Sequence, residues 1–253
     1  MYKMSFEEEL VKEINSFRTN PKEYSKKIKK YISYFNGKLL KLPGNEASIE
    51  TQEGPAAYEE AIDFLSKQNG IEPFEPSKGL GRISRDFISE IQKINPDDLD
   101  KIDLDKIIAK YGKFSGNLSR ALDFGGETPE QVLVNLIVGD GDPSREQRDS
   151  LLSSDLKKVG IGFGKHEEFK YVTVIITCTK FVNNKDSDDL GYLDEGTKYR
   201  NQENEDPSKE VVSETRSEKV VMENGKKKKI IKITRKLADG TKETETLIEK
   251  EDE

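Results

Sequence analysis

Apolar residues recur up to about Val182 at spacings that predict ordered elements. Phe6, Leu10, Val11, Ile14 and Phe17 stand three and four apart, which gathers them on one face of a helix. Ser5 and Glu8 give that helix the Ser-x-x-Glu pattern of a capping box. Tyr24, Ile28, Tyr31, Ile32 and Phe35 make a second stripe, Ala57, Ala61, Ile62 and Leu65 a third, and Ile83, Phe87, Ile88 and Ile91 a fourth. Leu104, Ile107, Ile108 and Tyr111 predict a short fifth helix. Thr128-Pro129-Glu130-Gln131 opens a sixth, with Pro at the first helical position and Gln at the capping-box place. Val132, Leu133, Leu136 and Ile137 line its buried face. Strand-like runs follow at Val159–Phe163 and Tyr171–Val182. Helices first and strands late, with little alternation between them, predict the α+β class. Each stripe reads as core packing, and residues 1–182 are enough chain for one core.

Beyond Val182 the pattern changes. Asn183 to Asp206 is rich in Asn, Asp, Glu and Gly and poor in large apolar residues, so 183–217 reads as an acidic flexible linker. Asn184, Asp186, Asp188 and Glu195 fall at positions one, three, five and twelve of a calcium-loop spacing, but Asp189 stands where that loop needs Gly. A solvated linker is the preferred reading. Residues 218–253 then read as a three-stranded antiparallel meander. Asn224-Gly225 and Asp239-Gly240 are hairpin turn signals, and Val220-Val221-Met222, Ile230-Ile231 with Ile233, and Leu247-Ile248 supply thin apolar stretches. Three strands with so little apolar surface are marginal alone. Lys226, Lys227, Lys228 and Lys229 open the second strand, followed by Ile231 and Ile233, and these six residues are the candidate partner-binding positions. The lysines serve either solubility and edge protection or contact with an acidic surface.

Composition narrows the chemistry. The chain has one His and one Cys, so no His- or Cys-rich metal site and no intramolecular disulfide can be built within it. A net charge of −7 argues against general affinity for nucleic acid or anionic membrane. The first residues lack the apolar stretch of a signal peptide, and no run has the length of a transmembrane helix. The chain is expected to be soluble and cytoplasmic. His166 lies among charged turn residues and Cys178 within a strand, so neither reads as a catalytic group. Asp140 and Asp142 could meet a cation, but Asp-Gly-Asp-Pro is above all a turn. No phosphate loop, nucleophile elbow or dinucleotide fingerprint occurs, and no cofactor is expected.

One stretch is more specific. Gly139-Asp140-Gly141-Asp142-Pro143-Ser144-Arg145-Glu146-Gln147-Arg148-Asp149-Ser150-Leu151-Leu152, leading to Val159-Gly160-Ile161-Gly162, resembles the second half of a CAP (SCP) domain, the superfamily of cysteine-rich secretory proteins, antigen 5 and plant pathogenesis-related proteins. Asn15-Ser16-Phe17-Arg18, with Pro21 after it, resembles the family's first helix. Thr51 to Ile62 resembles the lead-in to its second main helix, and Lys170 to Ile176 its closing strand. The resemblance covers about residues 5–182 and implies a three-layer α-β-α sandwich.

It also implies where a cleft would lie. Members with a filled cleft use two His and two acidic residues. Here Phe87 falls at the first His, Gly116 at the acidic position of a Glu-Asn motif, and Gln147 at the second His, while the second acidic position has no assignable counterpart. These degenerate cleft positions lack metal-ligating groups of the required kind. The emptied cleft therefore implies a non-catalytic structural or protein-interaction member, while the lysine-bearing tail and the missing signal peptide point to a protein partner such as an acidic, tubulin-like filament in a cytoskeletal or ciliary assembly. A lipid- or small-ligand-binding CAP protein is the alternative, and an enzyme is not expected.

Overall fold

The computed structural model describes residues 4–44 and 47–184, together with three strands at Val211–Glu223, Lys226–Leu237 and Lys242–Lys250. The chain forms two compact units, Met1–Thr197 and Lys198–Glu253.

The first unit is α+β. Helix α1 (Phe6–Thr19) starts with the expected capping box: the Ser5 amide donates to Glu8 Oε2 at 2.9 Å and the Glu8 amide to Ser5 Oγ at 3.2 Å. Helix α2 (Pro21–Ile32) has Pro at its first position. The expected second stripe ran to Phe35, but the helix stops at Ile32. Phe35–Asn36 is strand β1, which turns at Gly37-Lys38 onto β2 (Leu39–Leu40), itself paired with β3 (Ile49–Glu50). The left-handed φ of 62° at Gly37, cheap only for glycine, ends the helical period and makes a hairpin. Then come α3 (Pro55–Ser66), β4 (Glu75–Pro76), α4 (Lys78–Ile91), α5 (Leu104–Tyr111), β5 (Gly112–Phe124), α6 (Pro129–Val138), α7 (Glu146–Leu151), β6 (Lys158–His166) and β7 (Lys170–Asn183).

The main sheet has the order β4-β6-β7-β5, antiparallel except for the short β4–β6 pair. Its register explains the two cores. Ile161, Ile175 and Ala121 lie side by side across three strands and pack against Leu10, Ile14 and Phe17 of α1 and Leu133 and Ile137 of α6. Residues one step along each strand belong to the other face. There Val172, Val174, Ile176 and Cys178 meet Ile83, Phe87 and Ile91 of α4 and Ile107 and Ile108 of α5. Helices thus cover both faces. Helix α4 sits close because Gly160 has no side chain: a Cβ there would lie 2.1 Å from Gly81 N and Leu80 C. Ser84 Oγ donates to Gly160 O at 3.0 Å.

Asn15 and Arg18 tie this unit together. Asn15 Nδ2 donates to Phe74 O at 3.0 Å, and its Oδ1 accepts from Phe74 N at 2.7 Å. The fully buried Arg18 guanidinium donates to the carbonyls of Glu72, Leu151, Ser153 and Leu156 and lies 3.6 Å from the Phe74 ring centre. Burial lowers its pKa to about 10.

In the second unit β8 (Val211–Glu223), β9 (Lys226–Leu237) and β10 (Lys242–Lys250) form an antiparallel sheet in the order β10-β9-β8. Strand β8 begins inside the 183–217 segment read as linker, which therefore ends sooner than expected. Thr215 and Arg216 pair with Thr234 and Ile233, and ladder pairing recruits residues whose own apolar content is low. The turns Asn224-Gly225 and Asp239-Gly240, and the calcium-like spacing beyond Asn184, lie outside the described residues.

Candidate functional site

The three expected cleft positions are spent on structure, each in a different way. Phe87 is fully buried between α4 and the sheet, with the Arg120 guanidinium 4.6 Å from its ring centre. Gly116 sits at the register shift in β5 with φ 81°, where a Cβ would stand 2.8 Å from Thr179 Cβ and Oγ1. The Gln147 side chain, on α7, accepts from the Leu122 amide at 2.8 Å, an N–H on the outer edge of β5. Gln147 lines two grooves, but Phe87 belongs to the core below the sheet and Gly116 to the bulge.

The stretch from Gly139 to Arg148 is a strut. Asp140 accepts from the amides of Gln52 and Glu53 at 2.6 and 2.8 Å, fixing the lead-in to α3. Asp142 Oδ1 accepts from Ser144 N at 3.0 Å and Ser144 Oγ at 2.6 Å, which is the turn chemistry the sequence suggested. Arg145 takes a left-handed φ of 54°, uncommon for a non-glycine residue. Its guanidinium meets both Glu53 oxygens at 2.8 and 2.7 Å and donates to the Asp142 carbonyl at 2.7 Å. Those Arg145 bonds, and the Gly141 amide, hold the Glu53 carboxyl down at about 2. Arg148 grips both oxygens of Glu60 at 2.9 and 2.8 Å and lies over the Phe64 ring. Two forked pairs therefore bolt α7 and the residue before it to α3 and its lead-in.

Beside this strut a cleft of about 770 Å³ opens between the β2–β3 segment and α6. That volume is in the range of small-molecule sites. Its lining is mixed: Leu40, Leu42, Ala47, Ile49, Phe124 and Leu136 give it an apolar part, beside polar and charged residues such as Asn135, Asp140 and Gln147. Asp123, near the end of β5, lies within it and is only 6% exposed. Its Oδ1 accepts from Asn135 Nδ2 at 2.8 Å and its Oδ2 from the Gly126 amide at 3.0 Å. Burial pushes its carboxyl up to about 6 against the opposing pull of those two bonds. At the mouth Lys170 pairs with Glu127 at 2.8 Å. A second groove of about 870 Å³ runs along Asn117–Arg120 and α7, where Ser119 Oγ donates to Ser150 Oγ at 2.9 Å.

Sequence reasoning passed over Asp123, and the only signal was an Asp beside apolar neighbours in an unrecognised strand. His166 Nδ1 accepts from the amides of Glu168 and Phe169 at 3.3 and 3.4 Å, and its ring packs on Phe124 and Phe169. Cys178 is buried, and burial raises its thiol to about 11, far from a reactive thiolate. No described helix is long and apolar enough to cross a membrane.

The chain matches no protein-family profile and no curated protein. A solved structure it is similar to is a cysteine-rich secretory protein from Staphylococcus aureus subsp. aureus Mu50, 16% identical, with a TM-score of 0.32. That match covers 49% of this chain and 38% of the other, a likeness too slight to assign a family or any residue's role.

Proposed function

We propose that this chain is a non-catalytic protein-interaction module whose C-terminal sheet docks on an acidic protein surface. The supporting observation is the register of β8–β10. Residues directly opposite one another in a ladder share a face. The register sets Lys228 opposite Lys250 and Lys236 opposite Lys242, and places Lys226, Lys232 and Lys219 on that same face, with Glu223 opposite Lys226 as the one acid there among the described strands. Glu243, Glu245, Glu249, Glu214 and Glu218 fall on the other. Lysines paired directly opposite each other repel, so a sheet built only for stability would avoid them. An anionic partner turns that repulsion into attraction. The strands contain no aromatic residue, which disfavours stacking on nucleic-acid bases. The same register divides the expected partner-binding set: Lys226 and Lys228 share one face, while Lys227, Lys229, Ile231 and Ile233 share the other. A cytoskeletal or ciliary lattice with acidic tails, such as tubulin, is the proposed setting.

Co-sedimentation of the full chain with polymerised tubulin tests this reading. Binding should weaken as salt rises, and Lys228→Glu with Lys236→Glu should abolish it while Lys227→Glu with Lys229→Glu should not. Equal loss from both pairs, or preferential capture by anionic vesicles, would sink it.

A second reading has its own support. The partly apolar cleft holding Asp123 suits a small ligand, and this role is compatible with docking through the tail.

A further inference from the structure

We propose that the cleft between the β2–β3 segment and α6 binds an organic amine on an apolar body, with the Asp123 carboxylate as its counter-ion. This rests on the small-ligand reading above and names the ligand class. The apolar part of the lining would take the hydrocarbon part: Leu40, Leu42 and Ile49 from the β2–β3 segment, Phe124 from β5 and Leu136 from α6. The polar end of the ligand is then set by charge. Asp123 is almost wholly removed from water, and its two hydrogen bonds occupy two of about four lone-pair positions on an ionised carboxylate. The lone pairs left can accept from an ammonium group.

The charged residues lining the cleft are net acidic. From the turn after α6, Asp140 and Asp142 face the cleft; from the β5–α6 loop, Glu127. Lys170 of β7 is the one basic side chain among the described lining residues, and it is held by Glu127 at 2.8 Å. Tyr58 from α3 lines the wall, and burial beside Asp140 raises its phenol, so it stays neutral. Asn135 of α6 and Gln147 of α7 are neutral amides. With Glu127 already paired to Lys170, an anionic head group would still meet Asp123, Asp140 and Asp142, and desolvating a charge against like charges is strongly unfavourable.

Three probes with one hydrocarbon body separate the possibilities: octylamine, octanol and octanoate, titrated into the full chain by calorimetry with amide shifts of Gly126 followed by NMR. Octylamine should bind one-to-one, with octanol and octanoate weaker by about tenfold or more, the scale of one charge-assisted contact. Asp123→Asn should cut octylamine affinity by a similar factor, and so should Ala47→Trp, which fills the cleft from its exposed rim. Melting curves check that both variants fold. Octylamine affinity should fall as pH drops below about 6, where the carboxyl takes up its proton. Equal binding of all three probes, or octylamine binding unchanged in Asp123→Asn, would overturn the amine assignment while leaving a small-ligand cleft. Binding by none of them would overturn both.

Discussion

Two carboxyls in this protein are shifted in opposite directions, and each leaves a different mark on stability. Asp123 keeps its proton up to about pH 6 when folded, against about 3.9 for an unperturbed Asp. Between those values the folded chain holds more protons than the unfolded one, so this group's contribution falls as pH rises. Below about pH 4 the contribution is fully present, and above about pH 6 it is lost, a change of roughly 3 kcal/mol for a shift of about two units. Asp123→Asn removes that term. Denaturant melts at pH 4 and pH 7 should show wild type losing ground to the variant as pH rises, and parallel stabilities would mean that Asp123 is not buried as described. Glu53 runs the other way: with its carboxyl held near 2 by Arg145 and Gly141, its contribution is present at neutral pH and lost only as pH falls from about 4.5 through 2. The strut should therefore loosen in acid while Asp123 tightens.

At the scale of elements, the contact of α4 on β6 is the most demanding. A methyl group at Gly160 would enter the backbone of Leu80 and Gly81, so Gly160→Ala must lift the helix off the sheet. Overpacking of this kind costs about 3 kcal/mol, or roughly 6–12 °C in melting temperature for a unit this size, measurable by calorimetry. A variant within a degree of wild type would show that α4 stands farther off. The helices were legible in the sequence because their apolar stripes are long and capped, as at Ser5 and Thr128. Strand β5 was not. Arg120, Ser119, Asn117 and Gly116 dilute its alternation, and it is made a strand by eleven register pairs with β7, which lies far away in sequence. Helix α7 was missed because Glu-Gln-Arg-Asp-Ser carries no stripe, only forked pairs to α3. The cleft was illegible for a related reason. Its walls come from α3, β7 and α7 as well as from the β2–β3 segment, the end of β5 and α6, and no local pattern announces that these segments meet.

At the scale of the molecule, the two units divide the chain's work in the proposed reading: one supplies a packed core and cleft, the other a charged sheet. A fragment of residues 1–184 should unfold in a single cooperative transition by circular dichroism, because both faces of its sheet are covered by its own helices. A broad, non-cooperative melt would mean that it is not an independent folding unit. Its main sheet also has to end somewhere. One margin is β4, only two residues long, and the other is β5, thirteen residues with no strand paired to its outer side among the described residues. A long open margin is a template on which a second copy can grow. The bulge at Gly116-Asn117 breaks that template at one point, and Gln147 plugs it at another by occupying the Leu122 amide. Gln147 thus occupies an N–H that an added strand would need. Gln147→Val should barely move the melting temperature, yet concentrated solutions of the variant should turn turbid sooner and seed one another. An unchanged lag time would return Gln147 to a purely local role. A single side-chain amide would then set a limit on how closely copies of this chain can crowd before they begin to add strand to strand.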